Sequence, residues 1–243
     1  MQAEAQDAAP DGAPNGRPVT AQGGRPSIAN PALYPAVNVL GTTVLLDAGR
    51  AAKISRIIVA SSSSVYGNDA TPPFREDEPA ITPISPYAAT KRAAELMCET
   101  YAGLCDWMRI ISLRFFTVYG PRQRPDLAIH SFTRRISAGQ PIPFFGDGSA
   151  ERDYTYITDT VQGVLGAIDR SRISKPGHEI FNLGESAVTS LSALVQLIER
   201  ALGMTARLER MPAQPGDVRR TLADISEARK ELGYAPSVSV SDG

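Results

Sequence analysis

Two short segments carry residues whose types and spacing suit proton transfer at an alcohol. A serine run precedes a tyrosine in SSSSVYG (residues 61–67), and Tyr87 lies four residues before Lys91. Residues four apart share one face of a helix. A free tyrosine has a pKa near 10, too high for a general base at neutral pH, and a nearby ammonium lowers that pKa. We therefore expect Tyr87 to accept a proton, Lys91 to lower its pKa, and a serine to hydrogen-bond the reacting oxygen.

The elements around these segments predict a parallel α/β sheet. Residues 56–60 form a short β-branched run that ends in serines, which is typical of a strand buried on both faces. A proline-rich loop follows, and a helix is predicted over residues 85–104 with Pro86 in its first turn. A second strand is predicted over residues 108–115. Strand, helix and strand in this order indicate a doubly wound α/β fold, whose ligands bind at the carboxyl ends of the strands.

The rest of the chain divides into a tail, a helix and a series of shorter elements. Residues 1–20 contain almost no large apolar side chains and are expected to be disordered. Apolar residues at helical spacing predict a helix over residues 38–53. Beyond residue 120 we predict helices over 127–138, 158–169, 190–202 and 226–232, strands over 153–157, 179–182 and 206–210, and a Pro/Gly-rich turn over 141–148.

Composition excludes several classes of function. The 243 residues have a net charge of −1, so nothing favours a nucleic-acid or membrane surface. No apolar run approaches the roughly 18 residues of a membrane helix, and the N-terminus does not resemble a secretory signal. The two histidines are isolated and no cysteine cluster suggests a metal. We expect a cytoplasmic protein without a metal.

Five motifs together resemble the extended short-chain dehydrogenase/reductases, and among them the nucleotide-sugar 4-epimerases that act on UDP-glucuronate or UDP-glucose. The motifs are SSSSVYG, SPYAATKRAAE, LRFFTVYGPRQRPD, ERDYTYITD and GDVRRTLADISEARKELGY. The resemblance implies a partial Rossmann-like doubly wound parallel sheet, with its first strands missing, and a smaller α/β substrate lobe. Residues 21–120 would be the remnant of the NAD-binding domain. Residues 121–243 would be mainly the lobe that binds the nucleotide sugar, with some segments returning to the Rossmann core.

The resemblance implies a role for several individual residues. Tyr87 would be the catalytic base, with Lys91 as its partner and as a ligand of the cofactor ribose. Ser62 matches the catalytic Ser/Thr of the family, and Ser64 is its rival for that role. The other implied positions are Phe116 beside the nicotinamide, Thr117 at the nucleotide sugar, Arg152 at the diphosphate, Asp217 near the uridine ribose, and Arg122 and Arg124 at a diphosphate or a sugar carboxylate.

The implied reaction is epimerisation at C4 of a UDP-sugar through a 4-keto intermediate, with NAD as the bound cofactor. Dehydratases and decarboxylases of the family place an acidic residue just before Val-Tyr, where this chain has Ser63 and Ser64. This favours an epimerase over a dehydratase or reductase. The family is often dimeric, so a homodimer is expected, through the helices over residues 38–53 and 85–104.

The sequence departs from the family at its glycine-rich turn. Family members carry Gly-x-x-Gly-x-x-Gly after their first strand, where a helix N-terminus holds the pyrophosphate. No such motif occurs here, and Gly23-Gly24 is followed by Pro26 in what is expected to be a loop over residues 21–31. The first predicted strand would also form an exposed apolar edge. We therefore expect weak NAD binding, aggregation and little activity, and a catalytically inactive relic that binds a sugar nucleotide remains an alternative.

Overall fold

The computed structural model of the protein describes residues 22–68, 70–212 and 218–243. The expected disordered tail at residues 1–20 therefore lies outside the described residues. The strands are β1 (Arg56–Ser62), β2 (Arg109–Phe115), β3 (Thr117–Tyr119), β4 (Ile142–Phe145), β5 (Glu151–Arg152), β6 (Tyr154–Tyr156), β7 (Gly177–Leu183), β8 (Thr189–Ser190) and β9 (Leu208–Met211). The helices are α1 (Gly24–Ala29), α2 (Gly41–Ala51), α3 (Pro86–Leu104), α4 (Ala128–Ser137), α5 (Ile157–Ile173), α6 (Leu191–Leu202) and α7 (Ser226–Leu232). A π-helical turn over Pro35–Leu40 precedes α2, and a 3-10 turn over Ser63–Tyr66 follows β1.

The main sheet confirms the predicted α/β class. Its strands are parallel and lie in the order β1-β2-β7. The central strand, β2, is buried along most of its length. Within the described residues β1 has β2 as its only strand neighbour in this sheet, and several of its side chains are only half-buried. The two paired strands end level with each other, because Ser62 lies opposite Phe115.

Helices cover both faces of this sheet because successive residues of a strand point to opposite sides. On one face Ile110 packs with Leu46 of α2 and with residues of α3. On the other face Ile111 packs with Ala167 of α5 and with residues of α7. All four of these side chains are fully buried or nearly so. The sheet therefore forms the middle layer, between α2 and α3 on one face and α5 and α7 on the other.

A second apolar cluster lies between α4, α6 and β4. Phe132, Phe144 and Leu194 belong to it. Three small two-stranded pairs surround the cluster, namely β3 with β6 and β4 with β9, which are parallel, and β5 with β8, which is antiparallel. This region carries much of the chain after residue 120, although β7 and α5 return to the main sheet.

Two local predictions were wrong. Residues 141–148 were expected to form a turn, but residues 142–145 form β4, which pairs in parallel with residues 208–211. The loop expected over residues 21–31 contains α1, with Pro26 in its first turn, where a missing backbone N–H costs nothing. Pairing with a distant strand therefore decides the structure of residues 142–145, and a proline placed at a helix start decides that of residues 24–29.

Candidate active site

The N-terminus of α3 brings Tyr87 and Lys91 to the carboxyl end of β1. The Ser85 hydroxyl accepts a hydrogen bond from the Ala88 amide at 3.2 Å, and Pro86 occupies the first helical turn. These are the signals of a helix start. Both Tyr87 and Lys91 are buried, at 9% and 6% exposure. The predicted pair therefore shares one face of α3, and that face is turned toward the protein.

Tyr87 is packed between aromatic and polar neighbours. Its ring meets Tyr34 edge-on with 6.1 Å between the centroids. Burial raises the pKa of Tyr87, while a hydrogen bond with Ser62 and the charge of Arg124 lower it. The expectation that Lys91 brings this pKa below its usual value was wrong, because burial outweighs the lowering contributions. The Lys91 ammonium is 5.9 Å from the centre of the tyrosine ring.

Lys91 is attached to the strand that carries the serines. Its Nζ donates a hydrogen bond to the Ala60 carbonyl oxygen at 2.9 Å. Burial lowers the pKa of Lys91 to about 8. The lysine thus bridges α3 and the end of β1.

The serine run places Ser62 against the tyrosine. The Ser62 hydroxyl accepts a hydrogen bond from the Ser64 amide at 3.2 Å and donates one to the Ser64 hydroxyl at 3.1 Å. Ser62 also contributes the hydrogen bond that lowers the pKa of Tyr87. Ser64, the rival candidate, has a hydrogen bond to Ser62. Of the two candidate serines, Ser62 is therefore the one that hydrogen-bonds Tyr87.

Phe116 and Thr117 follow β2 at the same edge of the sheet. The Phe116 side chain is 6% exposed and lies in the main core, near Phe74 at 6.4 Å between ring centres. Its amide donates to the Leu183 carbonyl at 3.1 Å, and the Thr117 amide donates to the Asp153 carbonyl at 3.1 Å. Phe116 consequently offers backbone rather than a free side chain to a ligand at this edge.

A cavity of about 830 Å³ lies beside β5 and α4, and three arginines and three acidic residues are among those that line it. Arg152, Arg219 and Arg220 line it, together with aromatic side chains that include Phe145 and Tyr154. Guanidinium groups suit the bidentate recognition of phosphate oxygens. Arg152 was predicted as a diphosphate ligand. Arg219 and Arg220 were not singled out, although they follow directly after Gly-Asp-Val in a motif that carried the resemblance.

Arg124 is paired with a residue of this cavity and also affects the tyrosine through its charge. Its guanidinium makes two hydrogen bonds to Asp126, at 2.9 and 2.8 Å, and Asp126 lines the cavity. Its charge lowers the pKa of both Tyr34 and Tyr87, although burial raises each of them on balance. Arg122, by contrast, is exposed and has a positive φ of 67°. Asp217 lies outside the described residues.

Other features of the described chain do not point to the chemistry. A second cavity, of about 530 Å³, lies between α4, α6 and residues near the C-terminus, and no predicted site residue lines it. In the parts of the chain that the structure describes, no group of three or more His, Cys, Asp and Glu residues is placed to hold a metal ion. Over those same ranges no helix combines the length and apolar character needed to cross a bilayer.

Comparison with known proteins shows which proteins this chain is similar to. The chain is 44% identical over 221 residues to an uncharacterized protein of Methanocaldococcus jannaschii, which covers 91% of this chain and 66% of that protein. It is 40% identical over 223 residues to a UDP-glucuronate 4-epimerase of Thermodesulfobacterium geofontis. The matched region covers 91% of this chain and 67% of that enzyme. The chain therefore spans about two thirds of the length of these relatives.

A solved structure shows the same fold. UDP-glucuronic acid 4-epimerase from Bacillus cereus, in complex with UDP-glucuronic acid and NAD, superposes with a TM-score of 0.85 at 36% identity. The match covers 92% of this chain and 70% of that chain. A family model described as the NAD dependent epimerase/dehydratase family matches residues 19–184. Together with the tyrosine, lysine and serine at the strand end, these matches show that the chain belongs to the NAD-dependent epimerase/dehydratase family.

Proposed function

We propose that this chain carries the proton-transfer site and the substrate cavity of an NAD-dependent epimerase that inverts C4 of a UDP-sugar, with UDP-glucuronate as the preferred substrate. One observation carries the proposal. Tyr87 is buried and hydrogen-bonded to Ser62, its pKa responds to the charge of Arg124, and the partner of Arg124, Asp126, lines a cavity that contains three arginines. A nucleotide diphosphate in that cavity would direct its sugar toward the tyrosine.

The residues present fit the nicotinamide-ribose end of NAD. The Lys91 ammonium lies at the end of β1, where it is hydrogen-bonded to the Ala60 carbonyl, and the phenol of Tyr87 lies on the same helix face. Two neighbouring donors of this kind match the two hydroxyls of a ribose. The Phe116 backbone lies at the strand end beside them. When bound, NAD supplies the two-electron oxidation and reduction at C4.

The chain's own residues handle the proton of that reaction. The phenolate of Tyr87 removes the proton from the C4 hydroxyl as the alcohol becomes a ketone, and returns it to the same oxygen when the ketone is reduced. The Ser62 hydroxyl, whose single proton is donated to Ser64 in this structure, turns to donate it to the substrate oxygen on which charge develops. Arg124 favours the phenolate, because its positive charge lowers the pKa of Tyr87 against the effect of burial. The arginine-lined cavity holds the diphosphate while the 4-keto sugar turns.

The preference for glucuronate rests on Arg124. In a hexuronic acid the carboxylate is attached to C5, directly beside C4. Because Tyr87 acts at the C4 hydroxyl, a group that binds the carboxylate must lie close to Tyr87. The charge of Arg124 acts on Tyr87, and its partner Asp126 is a carboxylate of the kind that it would recognise in the substrate. The relatives named for UDP-glucuronate support the same choice.

An epimerisation assay tests the substrate. Arg124→Met should reduce kcat/KM for UDP-glucuronate by about 10-fold or more beyond its loss for UDP-glucose, since a hydrogen bond to a charged group is worth about 1.5–3 kcal/mol. The effect of Arg124 on the pKa of Tyr87 is lost with both sugars and cancels in this comparison. Arg122→Met is the matched control, because Arg122 is exposed and nearby in sequence. Equal losses with both sugars, or no conversion of either sugar by the parent chain supplied with NAD, would reject the substrate assignment.

We also propose that these 243 residues bind NAD weakly on their own. The sequence contains no Gly-x-x-Gly-x-x-Gly turn to hold the pyrophosphate, although the residues for the nicotinamide end are present. Titration calorimetry with NAD measures this directly. A dissociation constant in the low micromolar range for the isolated chain would contradict the proposal.

A homodimer is the proposed assembly. Leu40, Val44 and Leu45 are 58–61% exposed on the π-helical turn and α2, and Leu96 and Leu104 are 52% and 70% exposed on the neighbouring α3. Apolar side chains grouped on two adjacent helices suit a self-complementary contact. Val44→Glu should lower the mass measured by light scattering from dimer to monomer. Ile173→Glu, at an exposed position on α5, should leave the mass unchanged.

A further inference from the structure

A fully buried ion pair lies beneath the candidate site. Arg114 of β2 and Glu95 of α3 are each 1% exposed. The guanidinium makes two hydrogen bonds of 2.9 Å, from Nε to Oε1 and from Nη2 to Oε2 of the carboxylate. The proton-transfer step described above uses neither side chain. Because the desolvation of a buried ion pair offsets much of its attraction, stability alone is a weak reason for its presence.

Glu95 is also bound to the strand that holds the serines. The Ser61 hydroxyl donates a hydrogen bond to its Oε1 at 2.6 Å. Arg92, which is partly exposed, donates to its Oε2 at 3.0 Å. Ser61 and Arg114 lie opposite each other in the parallel register of β1 and β2. One carboxylate therefore joins α3 to two neighbouring strands of the sheet, β1 and β2, near their carboxyl ends.

Three consecutive residues of β1 contact three consecutive turns of α3. Ala60 accepts a hydrogen bond from Lys91, Ser61 donates one to Glu95, and Ser62 hydrogen-bonds Tyr87. Tyr87, Lys91 and Glu95 are spaced four residues apart and so lie along one face of the helix. A shift of α3 along its axis, or a rotation about it, would disturb all three contacts together.

We propose that Glu95 is a positioning residue, which holds α3 against the ends of β1 and β2 so that Tyr87 stays within hydrogen-bond reach of Ser62. The inference rests on the proposed function, because it concerns the same tyrosine. Glu95 touches neither substrate nor cofactor in this scheme. It acts through the placement of the helix, and Arg114 and Ser61 supply the fixed points on the sheet.

The sign of a pKa change distinguishes placement from simple charge. Glu95→Gln removes a negative charge, and the positive charge of Arg114 is then no longer neutralised. Through electrostatics alone, this change favours the phenolate and lowers the pKa of Tyr87. Loss of the Ser62 hydrogen bond acts in the opposite direction and raises the pKa of Tyr87. If Glu95 positions the helix, its replacement should therefore raise the titration midpoint of Tyr87.

The measurement is a pH titration by NMR of the full chain labelled with 13C at the tyrosine ζ carbon, with the Tyr87 signal assigned from Tyr87→Phe. Glu95→Gln should move the midpoint to higher pH. Glu99→Gln is the matched control, because Glu99 lies on the same helix but its side chain is 70% exposed, and it should leave the midpoint in place. A midpoint that falls or does not move in Glu95→Gln overturns the proposal.

Two further variants keep the test decisive. Ser62→Ala should raise the midpoint by itself, and adding Glu95→Gln to it should produce no further rise, since both act through one hydrogen bond. Additive rises would show that Glu95 acts by another route. If Glu95→Gln fails to fold, Ser61→Ala removes only the hydroxyl link and should still raise the midpoint, whereas an unchanged midpoint overturns the proposal.

Turnover supplies an independent readout. Glu95→Gln should lower kcat by up to about 100-fold, as expected for a displaced reacting group, and leave KM for the UDP-sugar unchanged, because the arginine-lined cavity is not altered. A rise in KM with an unchanged kcat would count against positioning. If the parent chain turns over no UDP-sugar, the proposed function fails, while the tyrosine titration still decides whether Glu95 positions Tyr87.

Discussion

Replacing Arg114 by methionine should destabilise the protein far more than replacing an exposed arginine. The substitution leaves Glu95, at 1% exposure, without its bidentate partner. Breaking a buried pair by removing one member costs about 3–5 kcal/mol. The Arg114 guanidinium also lies 4.7 Å from the centre of the Tyr66 ring, and loss of that contact adds to the cost. Ser61 and Arg92 still hydrogen-bond the Glu95 carboxylate, which makes the cost of the substitution smaller.

We therefore expect a loss of about 3–5 kcal/mol, which for a chain of this length lowers the melting temperature by about 6–20 °C. Urea unfolding followed by circular dichroism measures the free energy, and calorimetry measures the melting temperature. The matched control is Arg50→Met. Arg50 pairs with Asp47 at 2.8 Å, but the two side chains are 54% and 56% exposed, so its loss should cost at most about 1 kcal/mol.

The same variant should change how stability depends on pH. In the parent chain burial tends to raise the pKa of Glu95, but the hydrogen bond and charge of Arg114, together with the hydrogen bonds of Ser61 and Arg92, outweigh it, so the pKa is lowered on balance. A carboxyl whose pKa is lowered by folding stabilises the protein above its unfolded pKa, and that contribution is lost as the pH falls through its folded pKa. Without Arg114 burial dominates and raises the pKa, so the deficit of Arg114→Met should be largest near neutral pH and should shrink below about pH 4, where glutamate is protonated in the unfolded chain.

Two results would refute this reasoning. One is a loss for Arg114→Met no larger than that for Arg50→Met. The other is a deficit that stays constant as the pH falls. Replacing both Glu95 and Arg114 by methionine should recover much of the stability lost in the single variant, because no buried charge is then left unpaired.

Three further predictions concern the site and the core. Tyr87→Phe should lower kcat by about 100-fold or more while calorimetry finds unchanged binding of the UDP-sugar, and substantial residual turnover would contradict its role as the base. Arg152→Met should raise KM for the UDP-sugar by about 10-fold or more with little change in kcat, and a selective fall in kcat in the kinetic assay would argue against a diphosphate ligand. Leu46→Ala should cost about 2–5 kcal/mol in urea unfolding because Leu46 is 1% exposed, whereas Leu45→Ala, at 60% exposure, should cost less than about 0.5 kcal/mol if α2 packs as described.

Sequence reasoning succeeded where the signals are local. The helix over residues 85–104 was predicted within one residue of α3, because Ser85 and Pro86 are strong start signals. Ser190 likewise caps α6, by accepting a hydrogen bond from the Ala193 amide at 3.1 Å. The shared face of Tyr87 and Lys91 followed from their spacing alone.

It failed where distant segments decide the outcome. The direction of the Tyr87 pKa depends on burial beside Tyr34, and spacing along α3 carries no information about that burial. The ion pair of Glu95 with Arg114 joins a helix to a strand; both residues lie in motifs quoted for the resemblance, but nothing in the sequence indicates that they pair. Pairing with residues 208–211 turned a segment rich in proline and glycine into β4.

The amide of Tyr87 depends on a residue sixty positions earlier in the chain. As part of the first turn of α3 it has no acceptor within the helix, and it donates to the Ser27 hydroxyl at 3.0 Å. That hydroxyl in turn donates to the Gly24 carbonyl at 2.5 Å, and Ser27 is completely buried. Alanine at position 27 would leave the Tyr87 amide without an acceptor, and threonine would add a methyl group that needs room in a buried place. In a saturation-mutagenesis library, position 27 should therefore tolerate as few amino acids as the reaction centre itself, although its side chain performs no chemistry.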